Sequence, residues 1–348
     1  MKYCLQMSLF LVAAMVVTVL SGAVPAQASK KQSFDVAWSH YVGWEPWGYA
    51  EEQGILKKWA DKYNIEIKLT LVNDYIESIN LYTSGKFDAC TMTNMDGLTI
   101  PAVGGIDSTA VIVGDFSNGN DGIIMKQGNS VKDLKGRSIT LVELSVSHYL
   151  LARALDMNGM TERDVKLINT SDADIAAIFT ADPKAAAVTW NPPLMQAMKA
   201  KGAKLVFDSS AIPGEIIDLM VVKTNAPDSL KKALAGAWYE VMAILNKEGA
   251  EKEKAIAFMA QASGASVDEF KKQLSTTAMF YQAADAVAFT ASDKPKATME
   301  QVRQFSYDKG LYGESAPSAD LVGIAFDDGT VIGDKNNVTF RFTAKYMQ

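Results

Sequence analysis

"SFDVAWSHYVGWEPWGYAEEQGILKKWADKYNIEIKLTLV", residues 33–72, reads as a strand, a helix and a second strand. "SFDVAWS" is short, apolar and β-branched. "PWGYAEEQGILKKWADKY" (46–63) carries apolar residues at helical spacing behind Pro46, a favoured first helical residue. "IEIKLTLV" (65–72) alternates at period two, the sign of a half-buried strand. A strand–helix–strand unit predicts parallel pairing and an α/β fold.

The alternation continues. "DYIESINLYTSG" (74–85) predicts a helix, "FDACTMT" (87–93) a strand, "MDGLTIPAVGG" (95–105) a short helix and "STAVIVGD" (108–115) a strand. A Gly/Asn-rich break, "FSNGNDG" (116–122), follows. Further on, "SVSHYLLARALDMNGM" (145–160) predicts a helix with Ser145 as cap, and "AAAVTW" (185–190) a buried strand. "NPPLMQAMKAKG" (191–202) reads as a helix capped by Asn191. From Pro227 the helices lengthen, with "SVDEFKKQLSTTAMF" (266–280) taken as helical throughout. "FDDGTVIGDKNNVTFRF" (326–342) suits a short hairpin. The chain leaves a first lobe near Asn118 and returns near Val222. Lobe one is therefore expected to be 29–119 plus 223–348 and lobe two 120–222, joined by a two-strand hinge that can close on a ligand.

The first 28 residues read as a cleavable secretory leader: Lys2, an apolar run from Leu9 to Leu20, then Ala26-Gln27-Ala28. Export to the periplasm is the expectation. The net charge of −6 becomes −7 once Lys2 leaves with the leader. No basic tract offers itself to nucleic acid or an anionic membrane. Cys90 is then the one remaining cysteine, in an apolar strand where a buried, inert thiol is expected.

Catalytic sets are missing. The chain has two histidines, His40 and His148, and no GxSxG, Walker A, HExxH or CxxC pattern. No cofactor or metal is expected. In open α/β sheets ligands bind at the carboxyl ends of strands. Those ends here are "WSHYVGWEPWG", "NDYIES", "MTNMD", "DFSNGND", "ELSVSH", "WNPP" and "PGEIID". They hold Glu45, Asp74, Glu77, Asp96, Asp115, Asp121, Glu143, Glu215 and Asp218, and neither Lys nor Arg. Such a rim favours a small cation. Trp38, Tyr41, Trp44, Trp47, Tyr75, Tyr149 and Trp190 lie in or beside the same segments. A planar or alkylated cation gains about 0.5–2 kcal/mol over an aromatic face.

The candidate ligand set is Trp38, Tyr41, Trp44, Glu45, Asp74, Thr93, Asn94, Asp96, Asp115, Glu143, Ser145, His148, Trp190, Asn191 and Asp218. Several have an equally simple structural reading. Trp38 on a strand can face the core. Glu45 and Asp96 suit a helix N-terminus. Ser145 and Asn191 suit caps, and His148 suits packing.

Three segments carry a family resemblance: "GWEPWGYAEEQGILKKWADKYNIEIKL", "YTSGKFDACTMTNMD" and "SVKDLKGRSITLVELSVSHYLLARALDMNGMTERDVKLIN". They resemble the periplasmic substrate-binding proteins of ABC importers, in the branch that handles taurine, sulfonates, nitrate and thiamine-precursor pyrimidines. "GKFDA" is similar to that branch's G-x-x-D-A step before the ligand loop, and "DLKGR" to its entry into the second lobe. Within the branch, "WSHYVGWEPWG" and "TWNPP" look most like binding proteins encoded with urea-carboxylase-type enzymes and associated with guanidine. The resemblance implies a two-lobed, type II periplasmic-binding-protein fold with two mixed, mostly parallel sheets. It also implies a monomer that hands its ligand to an ABC permease and its ATPase. Urea or an oxyanion of the taurine/nitrate type are the alternative ligands. The other functions to weigh are a sensor domain and an enzyme like the pyrimidine-forming relatives, whose His- and Cys-rich site this chain lacks.

Overall fold

A computed structural model describes residues 31–313 and 316–348; the expected leader lies outside the described residues. Residues Gln32–Gln348 form one compact unit. The first strands are β1 (Gln32–Trp38), β2 (Ile65–Leu71), β3 (Ala89–Thr93) and β4 (Ser108–Ser117). The chain then builds β5 (Asp121–Met125), β6 (Ser138–Leu141), β7 (Lys166–Asn169), β8 (Ala186–Trp190) and β9 (Lys204–Asp208). It returns with β10 (Ile217–Lys223), β11 (Thr277–Met279), β12 (Gly323–Ala325), β13 (Val331–Gly333) and β14 (Val338–Phe342).

Two sheets result. The first runs β13-β12-β14-β4-β10-β3-β1-β2, with β11 added to β4; the second runs β7-β6-β8-β5-β9. Two mixed sheets of an α/β fold are what the family resemblance implies. Both sheets are mixed, and less parallel than expected. β10 runs against both β3 and β4, and β5 runs against both β8 and β9. β10 sits inside the first sheet, so the chain is back there by Ile217, ahead of the expected return near Val222. The linking segments are 118–120 and 209–216. Ser209 ties them together: its hydroxyl is 2.6 Å from Ser117 Oγ and accepts the Gly119 N–H at 2.8 Å.

The expected helix over 46–63 is two helices, Glu45–Glu52 and Ile55–Lys62. Gly54 breaks it at φ +69°, a conformation glycine adopts without a Cβ clash. The helix expected over 266–280 stops at Leu274, and Thr277–Met279 instead becomes β11 against β4. The helix after Trp190 spans only Pro193–Met198. The hairpin expected over 326–342 starts earlier: β12, which precedes that stretch, pairs antiparallel with β13, and β14 joins β12 in parallel instead of pairing with β13. Cys90 is fully buried, and burial pushes its thiol up to about 12, consistent with an inert core residue.

Candidate functional site

Three aromatic rings from three chain segments form one wall. Trp44 immediately precedes the helix Glu45–Glu52, Tyr75 opens the helix Tyr75–Thr83, and Trp190 ends β8. The Trp44 ring lies 5.6 Å from Tyr75, and Tyr75 meets Trp190 edge-on at 5.5 Å. Tyr41 supports Trp44 from behind at 5.1 Å. Trp190 belongs to the second sheet and the other rings to the first part of the chain, so the wall spans both.

Four aspartates gather against this wall, all buried. Asp96, on the short helix Asn94–Gly97, accepts hydrogen bonds from the Tyr75 hydroxyl at 2.6 Å and the Thr93 hydroxyl at 2.8 Å. Asp115 on β4 accepts one from the Tyr41 hydroxyl at 2.8 Å. Asp218 on β10 is the register partner of Asp115. Asp121, at the start of β5, accepts from the Ser117 hydroxyl at 2.5 Å. Asp96 Oδ1, Asp115 Oδ2 and Asp218 Oδ2 are buried without a well-formed hydrogen bond, although the Val146 N–H lies close to Asp96 and the Asp115 and Asp218 carboxyls approach each other. A buried acceptor without a donor costs about 1–3 kcal/mol, more when charged, so such groups call for an explanation.

Burial sets their acidity. It pushes Asp96 to about 6 and Asp115 and Asp121 to about 7, against a usual 3.8. Asp218 is raised well above its usual range, first by burial and then by the neighbouring Asp115 and Asp121. Tyr41 and Tyr75 are raised by burial and by the adjacent acids, so both stay neutral donors. The cavity these residues enclose is small, about 10 Å³. That is below the roughly 300–1,000 Å³ of a drug-sized site. No Lys or Arg lines it.

The predicted set therefore divides. Tyr41, Trp44, Thr93, Trp190 and Asp218 line the cavity. Asp96 and Asp115 stand directly behind it, bonded to lining hydroxyls. Trp38 packs into the core beneath the first helix, where a Cβ on Gly48 would sit 3.1 Å from its ring. Glu45 is buried and meets His40 Nδ1 at 2.7 Å, leaving Oε2 unpartnered. Asn94 accepts the Ile217 N–H and donates to the Glu215 carbonyl, fixing the start of β10.

The others lie elsewhere. Asp74 caps its helix through the Glu77 N–H and accepts the Ser171 hydroxyl at 2.8 Å. Glu143 shares an open groove with Asp74 rather than the aromatic cavity. Ser145 is a helix cap, accepting the Ser147 N–H. His148 bonds Glu162 at 2.6 Å and accepts the Leu144 N–H. Asn191 accepts the Met195 N–H, a helix-start bond.

Two features of the site escape the sequence reading. Tyr75, Asp121, Val146 and Ile216 complete the lining, although Tyr75 and Asp121 stand in rim segments. The rim is also not free of cations in space. Arg153, two turns into the helix Val146–Met157, reaches Glu215 with Nε at 2.9 Å and Nη2 at 3.1 Å, while the Tyr149 hydroxyl donates to the same carboxylate at 2.6 Å. Beside it, Glu162 holds His148 and also Lys309, at 2.5 Å, from the end of the helix Asp293–Asp308.

The aromatic wall thus draws on elements of both sheets, and no metal-holding His/Cys/Asp/Glu group is found among the described residues. The chain belongs to the NMT1/THI5-like family, which it matches over residues 49–226. No curated protein matches it in sequence. Its fold is similar to that of the alkanesulfonate-binding protein SsuA from Xanthomonas axonopodis pv. citri bound to MOPS, with TM-score 0.67 and 17% identity, covering 84% of this chain and 99% of that one. It is also similar to the periplasmic aliphatic sulphonate binding protein SsuA from Escherichia coli (0.65, 18%, 80% and 88%). A third is the periplasmic nitrate-binding protein NrtA from Synechocystis PCC 6803 (0.56, 11%, 69% and 69%). No helix among the described residues is long and apolar enough to cross a membrane.

Proposed function

We propose that this protein is the solute-binding component of an ABC importer and that its ligand is a small planar cation, guanidinium. The family and fold support the first half. The second half rests on one observation: Asp121 and Asp218 line an aromatic cavity, Asp96 and Asp115 stand behind it, Asp218 keeps a buried oxygen without a well-formed hydrogen bond, and no cation of the chain's own lines the space. Guanidinium is flat, carries N–H donors on every edge and would satisfy those carboxylates with charge-assisted bonds while a ring covers its face. The parts of the chain carrying the two sheets would close about it, and a membrane permease would receive it.

An oxyanion fits poorly. Sulfonate and nitrate are the ligands named for the similar SsuA and NrtA structures. Here such a group would lie against Asp121 and Asp218 with no Arg or Lys to meet it. Urea needs a donor for its carbonyl. The hydroxyls of Tyr41, Tyr75 and Thr93 already donate to aspartates. A protonated carboxyl could serve instead, which makes urea the neutral competitor at acid pH.

Calorimetry of the full chain with millimolar guanidinium chloride, urea, taurine and nitrate at matched ionic strength and alkaline pH separates these ligands. Guanidinium is expected to bind saturably and most tightly. At a hundred times its Kd it raises stability by about 2.7 kcal/mol. Tighter binding of taurine, nitrate or urea under those conditions overturns the reading.

A further inference from the structure

Asp115 and Asp218 occupy paired positions on β4 and β10, both are buried, and each keeps one oxygen without a well-formed hydrogen bond. The groups around the pair come from every element packed on it. Tyr41 donates to Asp115 from the turn after β1. Thr277 on β11 lies 3.5 Å from the Tyr41 hydroxyl. Asp121 approaches from β5, and Tyr281 from beyond β11. Asp96 acts on the cluster through Asp121. None of these groups is a cation. Two adjacent carboxylates in a dry site with no counter-ion cannot both ionise.

We propose that ligand capture at this site is an ion exchange: as the cation enters, a proton held by the Asp115–Asp218 pair leaves to bulk water. The inference rests on the cation reading given above. In the exchange one positive charge comes in and one goes out. The buried cluster therefore never carries an extra charge, and the cost of burying one is avoided. The raised pKa values of the cluster agree with a proton being present near neutral pH when no cation is bound. A consequence follows for affinity. While the pair is protonated, guanidinium binding strengthens about tenfold per pH unit, and it levels off once the free pair has ionised. Urea, being neutral, shows the opposite or no trend.

The test is calorimetry of the full chain with guanidinium chloride in phosphate and in Tris, whose ionisation heats differ, at several values from about pH 6 to about pH 9. The difference in heat counts the protons released. About one proton per guanidinium is expected at the acid end, declining toward zero at the alkaline end, with affinity rising in step. Asp115→Asn removes the nearer of the two carboxylates that act on Asp218, leaving burial and Asp121, and is expected to shift both trends to lower pH. Guanidinium binding with unchanged affinity and no proton release across the range overturns the exchange while leaving the ligand assignment intact. No guanidinium binding at any pH sinks the ligand assignment, and the exchange falls with it.

Discussion

Two groups of buried or half-buried acids lie near the junction of the sheets, and they are treated in opposite ways. Glu215 and Glu162 each receive a cation from the chain: Arg153 grips the first with two N–H groups, and Lys309 and His148 hold the second. Asp96, Asp115, Asp121 and Asp218 receive only neutral donors, and three of them keep an oxygen without a well-formed hydrogen bond. The difference shows in acidity. Burial pushes Glu162 up, but His148 and Lys309 outweigh it and hold the carboxyl below its usual value. The aspartates, lacking a cation, go up. A chain that pairs some acids so thoroughly has cations available. Withholding them a few residues away leaves a place for a positive charge from outside.

The broadest way to break that contrast is pH. An aspartate with a raised folded pKa binds more protons when folded than when unfolded between its unfolded and folded values. Its contribution is complete below about pH 4 and is lost as pH rises toward about 7 for Asp115 and Asp121. The free protein is therefore expected to lose stability, on the order of several kcal/mol, from about pH 4 to about pH 8. Exposed ion-paired acids such as Asp328 and Glu269 pull the other way, but solvent screens them. Urea denaturation across that range measures it, with saturating guanidinium expected to flatten the slope. Stability that climbs steadily over the range would mean the aspartates are compensated after all.

Next in size is Asp218→Asn. Removing one partner of a buried charge pair costs about 2–5 kcal/mol of binding. Guanidinium affinity should fall by that amount, read by calorimetry near pH 8. The free protein should hold its stability or gain some, because an unpaired acid has been removed. Unchanged affinity would place the cation elsewhere.

Much of this site could be read in the residues, and the remainder fails for a definite reason. Strand ends were legible from period and breakers, so the rim segments and their acids were found. Which acid turns inward depends on the sheet, not on the local string. Asp96 and Glu143 both come just after a strand, yet β3 is inside its sheet and the helix that follows it sets Asp96 directly behind the cavity, bonded to the lining Tyr75, whereas Glu143 opens onto a groove. The tryptophans divide likewise. Trp44 lines the cavity, Trp38 lies under Gly48, and Trp47 packs on Trp238 at 5.2 Å. The rim segments also hid Arg153. It sits eight residues beyond Ser145, on a helix whose length carries its guanidinium back to Glu215. Charge read along the string missed a cation that charge read in space supplies.

Arg153→Met sharpens the contrast from the other side. Glu215 is largely buried, and without Arg153 it keeps only the Tyr149 hydroxyl and becomes a fifth acid of the cavity type. The expected loss is about 1–3 kcal/mol of stability, the cost of leaving a buried acceptor short of its partner. Arg153 is about a quarter exposed, so solvent holds the loss toward the lower end. Adding Glu215→Gln should recover most of it, because a neutral amide needs no counter-charge, and urea denaturation of both variants reads the difference. Guanidinium affinity should change far less than in Asp218→Asn, since Glu215 does not line the cavity. If Arg153→Met costs nothing, or weakens guanidinium as much as Asp218→Asn does, the two groups of acids are not distinct, and the reason for placing the ligand among the aspartates is lost.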